Sequence, residues 1–223
     1  MSSDNRVRGV IPLRAQQDPG RRLLTRDSPQ VRVGGRGVLQ ANLNWLPGAR
    51  ADVNLCCLIK FRDGTATCVQ SLGDNFGALD AWPYVALDQD DRTGASADGE
   101  TLRVGLGHRE RFEKLLFFVY IYEGSADFRR LGASVTVTEP SGPGCRILLD
   151  DSPAGSVGCA IALVTPDAGG LTVRREVSWF TGTATAGPHE KIDRAYGFGL
   201  DYTVTLKPPR DQEDRPARGG LRW

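Results

Sequence analysis

The sequence lacks the long apolar runs of membrane proteins. No stretch of its 223 residues approaches the roughly 18 consecutive apolar residues that a bilayer-spanning helix needs. The first residues, MSSDNRVRGVIPLRAQQDPGRR, also lack the uninterrupted apolar core of a signal peptide. We therefore expect a cytoplasmic protein.

Paired cysteines are missing as well. The five cysteines are an odd number and contain no CxxC motif: Cys56, Cys57, Cys68, Cys145 and Cys159. Two of them are adjacent inside an apolar run, which argues against a disulfide framework and against a zinc site. We expect reduced, buried thiols.

The motifs of common enzyme classes are also absent. Neither GxSxG nor GxxxxGK[ST] nor HExxH occurs, and Gly105-Leu106-Gly107-His108 lacks the third glycine of a dinucleotide-binding loop. The two histidines, His108 and His189, stand far apart in charged surroundings, and we expect both at the surface. Because no pair of nucleophile and base can be named, we do not expect an enzyme.

The whole chain has little net charge, only +1, but its parts differ in charge. Residues 1–36 carry eight Arg against three Asp, and residues 207–223 carry five basic against three acidic residues, which leaves residues 37–206 with a net charge of −6. The composition predicts flexible segments at 1–36 and 207–223 around one domain at 37–206. An acidic domain favours a cation as its partner, whereas the acids among the tail arginines disfavour nucleic acid.

Short β-type runs fill the predicted domain. Val38–Trp45 alternates apolar and polar residues with the period of a half-buried strand, while Val53–Phe61 and Leu115–Tyr122 are nearly continuous apolar runs that suit central strands. Asp63-Gly64 between two such runs predicts a hairpin.

The remaining runs complete an all-β pattern. Further strands are predicted at Gln30–Val33, Ala66–Val69, Tyr84–Leu87, Thr101–Leu106, Ala133–Thr138, Arg146–Leu149, Cys159–Val164, Leu171–Trp179 and Tyr196–Leu206. One short helix is predicted around His108–Lys114. About ten strands with so little helix indicate a β-sandwich of two mostly antiparallel sheets.

An acidic loop interrupts the strands. Residues 80–100 hold six acidic residues and one basic residue, Arg92. Ca²⁺ takes six to eight oxygen ligands, and clustered carboxylates are costly without a cation. With no His or Cys in the loop, a hard metal is favoured over zinc or copper. On these residues alone, a Ca²⁺ site and a solvated acidic turn both stay open, and the spacing excludes an EF-hand.

The loop and its flanks resemble a known family. Asp90-Asp91-Arg92-Thr93-Gly94 and Asp98-Gly99-Glu100, together with Asn42–Trp45, Ala51–Leu55 and Phe118–Gly124, are similar in order and spacing to the TerD family of tellurium-resistance and stress-response proteins. The segments CCLIKFRDGTATCVQ and HEKIDRAYGFGLDY are closest to its TerA-like branch.

This resemblance implies a β-sandwich with one or two Ca²⁺ ions bound at one end. Carried over by position, the candidate ligands are Asp52, Asn54, Asp90, Asp91, Asp98 and Glu100, with Asp88 added because it lies nearby. Gly99 stands where the family has an acidic residue, and Asn54 replaces an Asp. We therefore expect one ion rather than two.

The resemblance also implies a function. We expect a non-enzymatic Ca²⁺-binding module of a tellurite-resistance or general stress-response system, which acts through other proteins of that system, with contact at the membrane periphery as an open variant. The alternative is a Ca²⁺-dependent binder of a small ligand, a lipid headgroup or a glycan.

Overall fold

Two packed β-sheets form the body of the protein. The computed structural model describes residues 21–46, 49, 51–94, 96, 99–124, 127–140, 142–182, 187–203 and 207. The seven-stranded sheet has the order β1-β11-β10-β3-β8-β7-β6, and the six-stranded sheet has the order β2-β13-β12-β9-β4-β5. The predicted all-β sandwich is confirmed.

The seven-stranded sheet contains β1 (Arg22–Leu23), β3 (Val38–Asn44), β6 (Gly77–Ala78), β7 (Val85–Leu87), β8 (Glu100–Gly105), β10 (Ser134–Glu139) and β11 (Gly142–Leu148). The six-stranded sheet contains β2 (Gln30–Gly34), β4 (Asp52–Phe61), β5 (Ala66–Val69), β9 (Phe112–Glu123), β12 (Ser156–Asp167) and β13 (Gly170–Thr181). All pairings are antiparallel except that of β1 with β11. The described chain thus has thirteen strands instead of about ten, because two-residue strands such as β1 and β6 are too short to show a period.

Alternation along the strands builds two hydrophobic clusters. Val53 and Leu55 of β4 lie in the main core between the sheets. Cys56 and Leu58, on the opposite face of β4, lie in a second cluster with Phe198. That second cluster covers the outer face of the six-stranded sheet, so β4 and β9 are buried on both sides, as their continuous apolar sequences predict.

The helices in the described part of the chain are short. The helices are α1 (Phe128–Leu131), α2 (His189–Tyr196) and two 3₁₀ helices at Leu72–Asp74 and Leu106–Arg111. The predicted helix at His108–Lys114 was therefore misplaced. The chain leaves the helical conformation at Phe112, which is fully buried and pairs with Phe61 in the β-ladder.

The predicted last strand at Tyr196–Leu206 was wrong over its described part. Tyr196 ends α2, and residues 197–203 form no strand. Gly197 has a φ of 67° and Gly199 a φ of 79°, which break an extended strand. The carboxylate of Asp193 accepts hydrogen bonds from the backbone N–H groups of Phe198, Gly199 and Leu200, so a side chain satisfies the donors that a strand would have paired.

Parts of the two terminal segments that were predicted to be flexible belong to the folded structure. Within residues 1–36, β1 pairs with β11 and β2 pairs with β13, so the sandwich includes residues before position 37. Residues 1–20 lie outside the described part. In the C-terminal segment 207–223, Lys207 is described, and it is buried.

The hairpin and the thiols agree with expectation. β4 and β5 pair across the Asp63-Gly64 turn, and Gly64 adopts the positive φ of 90° that such a turn requires. All five cysteines are free and buried. In the described residues, no helix is both long and apolar enough to cross a membrane.

The prediction that His189 lies at the surface was wrong. Its side chain is 9% exposed and packs edge-on against Phe118 and Tyr120, with ring centroids at 5.4 and 4.4 Å. Burial lowers the pKa of His189 to about 4, because the charged imidazolium is disfavoured away from water.

This burial makes stability depend on pH. The unfolded chain protonates His189 below about pH 6.5, so it binds more protons than the folded chain between that pH and about 4. We expect the stability of the wild type to fall through this window relative to His189→Phe, with the difference in unfolding free energy changing by about 3 kcal/mol between pH 7 and pH 4. Denaturant unfolding at both pH values measures it. Parallel curves for the two proteins would contradict the buried neutral imidazole.

Candidate cation site

The candidate site begins where β4 begins. Asp52 and Asn54 project from the same face of β4 as Cys56 and Leu58, because side chains alternate along a strand. Both polar side chains are buried, at 1% and 0% exposure. The amide of Asn54 donates to Asp52 Oδ1 at 2.7 Å, and Ser71 Oγ donates to Asn54 Oδ1 at 2.7 Å. Their oxygen atoms are therefore held in fixed positions.

The acidic loop between β7 and β8 reaches this end of β4 from the other sheet. Asp91 shapes the loop from inside, because its carboxylate accepts hydrogen bonds from the backbone N–H groups of Thr93, Gly94 and Ser96 at 3.0, 3.0 and 3.1 Å. These bonds turn the chain tightly after Asp90. Asp91 thus orders the loop that carries Asp90.

Glu100 joins the loop to β4. β5 pairs with Cys57–Lys60 only, so the N–H of Leu55 lies beyond the end of that ladder. Glu100 accepts this N–H at 2.6 Å and that of Asp91 at 3.1 Å. Burial raises the pKa of Glu100 well above its usual range. Its side chain is fully buried and fastens the two sheets together at this end.

One predicted ligand lies apart from this arrangement. Asp88 accepts a hydrogen bond from the N–H of Thr101 at 2.8 Å and lies 3.6 Å from Arg103, beside a groove on the outer face of the seven-stranded sheet. Asp98 lies outside the described residues. Of the predicted set, Asp52, Asn54 and Asp90 are therefore the side chains that converge on one point.

That point is the ammonium group of Lys207. Its Nζ lies 2.5 Å from Asn54 Oδ1, 2.5 Å from Asp90 Oδ1, and 3.1 and 3.3 Å from the two carboxylate oxygens of Asp52. The Lys207 side chain is 2% exposed, and its backbone N–H donates to the hydroxyl of Tyr122 at 2.9 Å. A buried cation thus stands where the three oxygen-bearing side chains meet.

A second cation flanks the same carboxylates. Arg92 Nε lies 3.3 Å from Asp90 and 3.7 Å from Asp52, with its side chain 8% exposed. Burial raises the pKa of Asp52, and the nearby Lys207 opposes that shift. Sequence reasoning placed Lys207 in a flexible tail and gave Arg92 no role.

An orphaned oxygen adjoins the cluster. The hydroxyl of Tyr120 is buried and has no hydrogen-bond partner among the described residues. Tyr120 pairs with Asn54 in the ladder of β4 and β9. Burial raises its pKa, and the nearby ionisable groups Cys56, Asp52, Asp90 and Glu100 add to the shift. A buried hydroxyl without a partner needs a water molecule or another ligand.

These donors fit a hard cation in kind. All are oxygen atoms, which Ca²⁺ and Mg²⁺ prefer, and the orphaned hydroxyl of Tyr120 supplies one more. In the described part of the chain no three His, Cys, Asp or Glu side chains gather as metal sites usually require, and the third oxygen-bearing side chain of the cluster is the amide of Asn54. The ammonium of Lys207 also occupies the common point.

The chain is similar to a tellurium-resistance protein. It is 28% identical over 197 residues to the tellurium resistance protein TerA of an Alcaligenes species, an alignment that covers 81% of this chain. This similarity confirms the predicted resemblance to the TerD-like tellurium-resistance proteins. The chain spans 56% of the length of that TerA protein.

One solved structure supports the fold, and a second is similar to a lesser degree. The crystal structure of SAV2460, a protein of unknown function, superposes with a TM-score of 0.54 at 15% identity, covering 66% of this chain and 92% of that one. A homologue of the telluride resistance protein TerD from Streptomyces coelicolor A3(2) gives a TM-score of 0.49 at 17% identity, over 65% of this chain and 90% of that one. No protein-family model matches the chain.

The fastening role of Glu100 can be tested by substitution. Glu100→Ala leaves the N–H groups of Leu55 and Asp91 buried without an acceptor, so we expect it to lower the unfolding free energy by about 3 kcal/mol. Glu100→Gln keeps one acceptor and should cost less. Glu110→Ala, at a side chain 72% exposed, is the matched control and should change stability by less than about 0.5 kcal/mol. Equal losses at positions 100 and 110, measured by urea unfolding, would contradict this role.

Proposed function

We propose that the chain is a non-enzymatic Ca²⁺-binding module of a tellurium-resistance or general stress-response system, acting through other proteins of that system. Its relationship to TerA supports the biological setting. The converging oxygen atoms of Asp52, Asn54 and Asp90 support Ca²⁺ as the ligand. The bound ion stiffens the loop between β7 and β8 and thereby presents a defined surface to a partner protein.

The convergence of Asp52, Asn54 and Asp90 on one point carries this proposal. Their four oxygen atoms already surround a positive charge at 2.5 to 3.3 Å. Ca²⁺ binds oxygen at about 2.3 to 2.6 Å, so the side chains need little movement to close on the smaller ion. Among the described residues, the hydroxyl of Tyr120 is a further buried oxygen without a hydrogen-bond partner.

Calcium should stabilise the folded protein. A ligand that binds only the folded form stabilises it by RT ln(1 + [L]/Kd), which is about 2.7 kcal/mol at a concentration of 100 Kd. We expect the melting temperature to rise with Ca²⁺ relative to chelator, and we expect Asp90→Asn to abolish the rise. Asp63→Asn, in the exposed hairpin turn, should keep it.

The test must remain decisive even if the wild type binds Ca²⁺ weakly, so it includes Lys207→Met. If Ca²⁺ in excess changes the melting temperature of neither the wild type nor Lys207→Met, the oxygen cluster is not a Ca²⁺ site. Isothermal calorimetry on the same proteins supplies stoichiometry, for which we expect one ion per chain.

A second candidate function is favoured by the groove beside Asp88. The groove has a volume of about 390 Å³ and is lined by Gln40, Asn42, Asn44, Thr101, Thr136 and Thr138. Amide and hydroxyl side chains in parallel rows can hydrogen-bond a ligand that carries many hydroxyl groups. Asp88 stands at the start of the acidic loop, so cation binding in the loop can alter the groove wall. This supports a Ca²⁺-dependent binder of a glycan or another small polar ligand.

A glycan array and a liposome-binding assay separate the two functions. The second predicts retention of a glycan that requires Ca²⁺ and is lost in Gln40→Ala, with Gln30→Ala on the other sheet as the control. Glycan binding that is equal in Ca²⁺ and in chelator, or no binding at all, would leave the protein-interaction role alone.

A further inference from the structure

Lys207 reaches the cluster from a distant part of the chain. It stands 155 positions from Asp52 and 117 positions from Asp90. Nevertheless its ammonium makes four contacts with the oxygen atoms there, and its side chain is almost fully buried. Lys207 lies outside the acidic loop and outside β4, so it is an independent partner of the acids rather than a member of their cluster.

The oxygen atoms at the common point are already engaged by the ammonium of Lys207. Each oxygen atom of Asp52 and one of Asp90 contacts Lys207, and Asn54 Oδ1 is shared between Lys207 and Ser71. A metal ion at the same point would lie at hydrogen-bond distance from a like charge. Such contact is strongly repulsive in a buried site.

Charge balance leads to the same conclusion. Two carboxylates, Asp52 and Asp90, face two cations, Lys207 and Arg92. The charges of these four side chains therefore balance without a metal. Adding a divalent ion while Lys207 stays in place would leave an excess of two positive charges, whereas departure of Lys207 removes one of them.

We infer that Lys207 is a tethered competitor of the divalent cation: its ammonium is the resident cation of the site, and Ca²⁺ binds only when Lys207 leaves. This inference rests on the proposed Ca²⁺ binding and names its regulation. The competitor is part of the same chain, so its effective concentration does not change when the protein is diluted.

The competition lowers the apparent affinity for Ca²⁺, and it makes the exposure of Lys207 depend on Ca²⁺. Apparent affinity falls in proportion to the fraction of molecules whose site is open. A site that is open in about one molecule in a hundred binds about 100-fold more weakly than the same site without the lysine. Ca²⁺ binding in turn moves Lys207 from a buried to an exposed position, which a chemical label can detect.

Calorimetry with Ca²⁺ tests the affinity. Lys207→Met removes the charge and keeps much of the aliphatic stem, so we expect its Kd for Ca²⁺ to be at least about tenfold lower than that of the wild type. Lys191→Met is the matched control, because Lys191 is exposed on α2, and its Kd should equal that of the wild type.

Amine labelling of the wild type tests the displacement without a variant. The chain has four lysines, at positions 60, 114, 191 and 207, which peptide mass spectrometry can follow separately. In chelator we expect Lys207 to resist an amine-reactive reagent while Lys191 reacts. In saturating Ca²⁺, labelling of Lys207 should rise several-fold with that of Lys191 unchanged. This readout remains decisive if Lys207→Met fails to fold.

The outcomes distinguish the inference from the function on which it rests. Tighter binding by Lys207→Met, with labelling of Lys207 that depends on Ca²⁺, supports the inference. Equal Kd values for the two proteins, or Lys207 protected at saturating Ca²⁺, overturns it and leaves Ca²⁺ binding standing. Absence of Ca²⁺ binding by both proteins overturns the proposed function as well.

Discussion

The buried carboxylate of Asp52 and the partly buried carboxylate of Asp90 are the constraint on which this end of the sandwich depends. An ionised carboxylate away from water is very unfavourable unless a cation or several hydrogen-bond donors compensate it. Here a lysine and an arginine do so. Lys207 and Arg92 thereby place positive charge beside these carboxylates at the end of the outer face of the six-stranded sheet.

Three further features determine the structure around these carboxylates. Glu100 fastens β8 to β4 through the N–H of Leu55. Asp91 turns the loop so that Asp90 faces inward. The outer face of the six-stranded sheet is closed by α2 and by Phe198, which belong to the second hydrophobic cluster. The cation cluster therefore lies at one end of a surface that is otherwise apolar and covered.

Sequence patterns predicted the sandwich. In the cation cluster, the sequence pointed to the oxygen-bearing side chains but not to the basic residues. The continuous runs Val53–Phe61 and Leu115–Tyr122 became β4 and β9, because strands buried on both faces need apolar residues at every position. The segment from Tyr196 misled, since its alternating aromatics and glycines imitate a strand. The hydrogen bonds of Asp193 and the positive φ angles of Gly197 and Gly199 depend on tertiary placement, which no local period reveals.

Lys207 lay beyond the reach of local patterns altogether. It stands directly before two prolines and a charged segment, and the side chains that contact its ammonium are more than a hundred positions away. Family resemblance included Asp52, Asn54 and Asp90 among the candidate ligands, whereas the lysine and the arginine that contact them required the three-dimensional arrangement.

The most direct test of this account is a pair of crystal structures, of wild type and Lys207→Met, determined at the same Ca²⁺ concentration below the Kd of the wild type. The account predicts the ammonium of Lys207 between Asp52, Asn54 and Asp90 in the first, and a metal ion with an anomalous signal at the same point in the second. A metal ion beside an undisplaced Lys207, or a wild-type cluster in which Lys207 points to solvent without any metal, would contradict it.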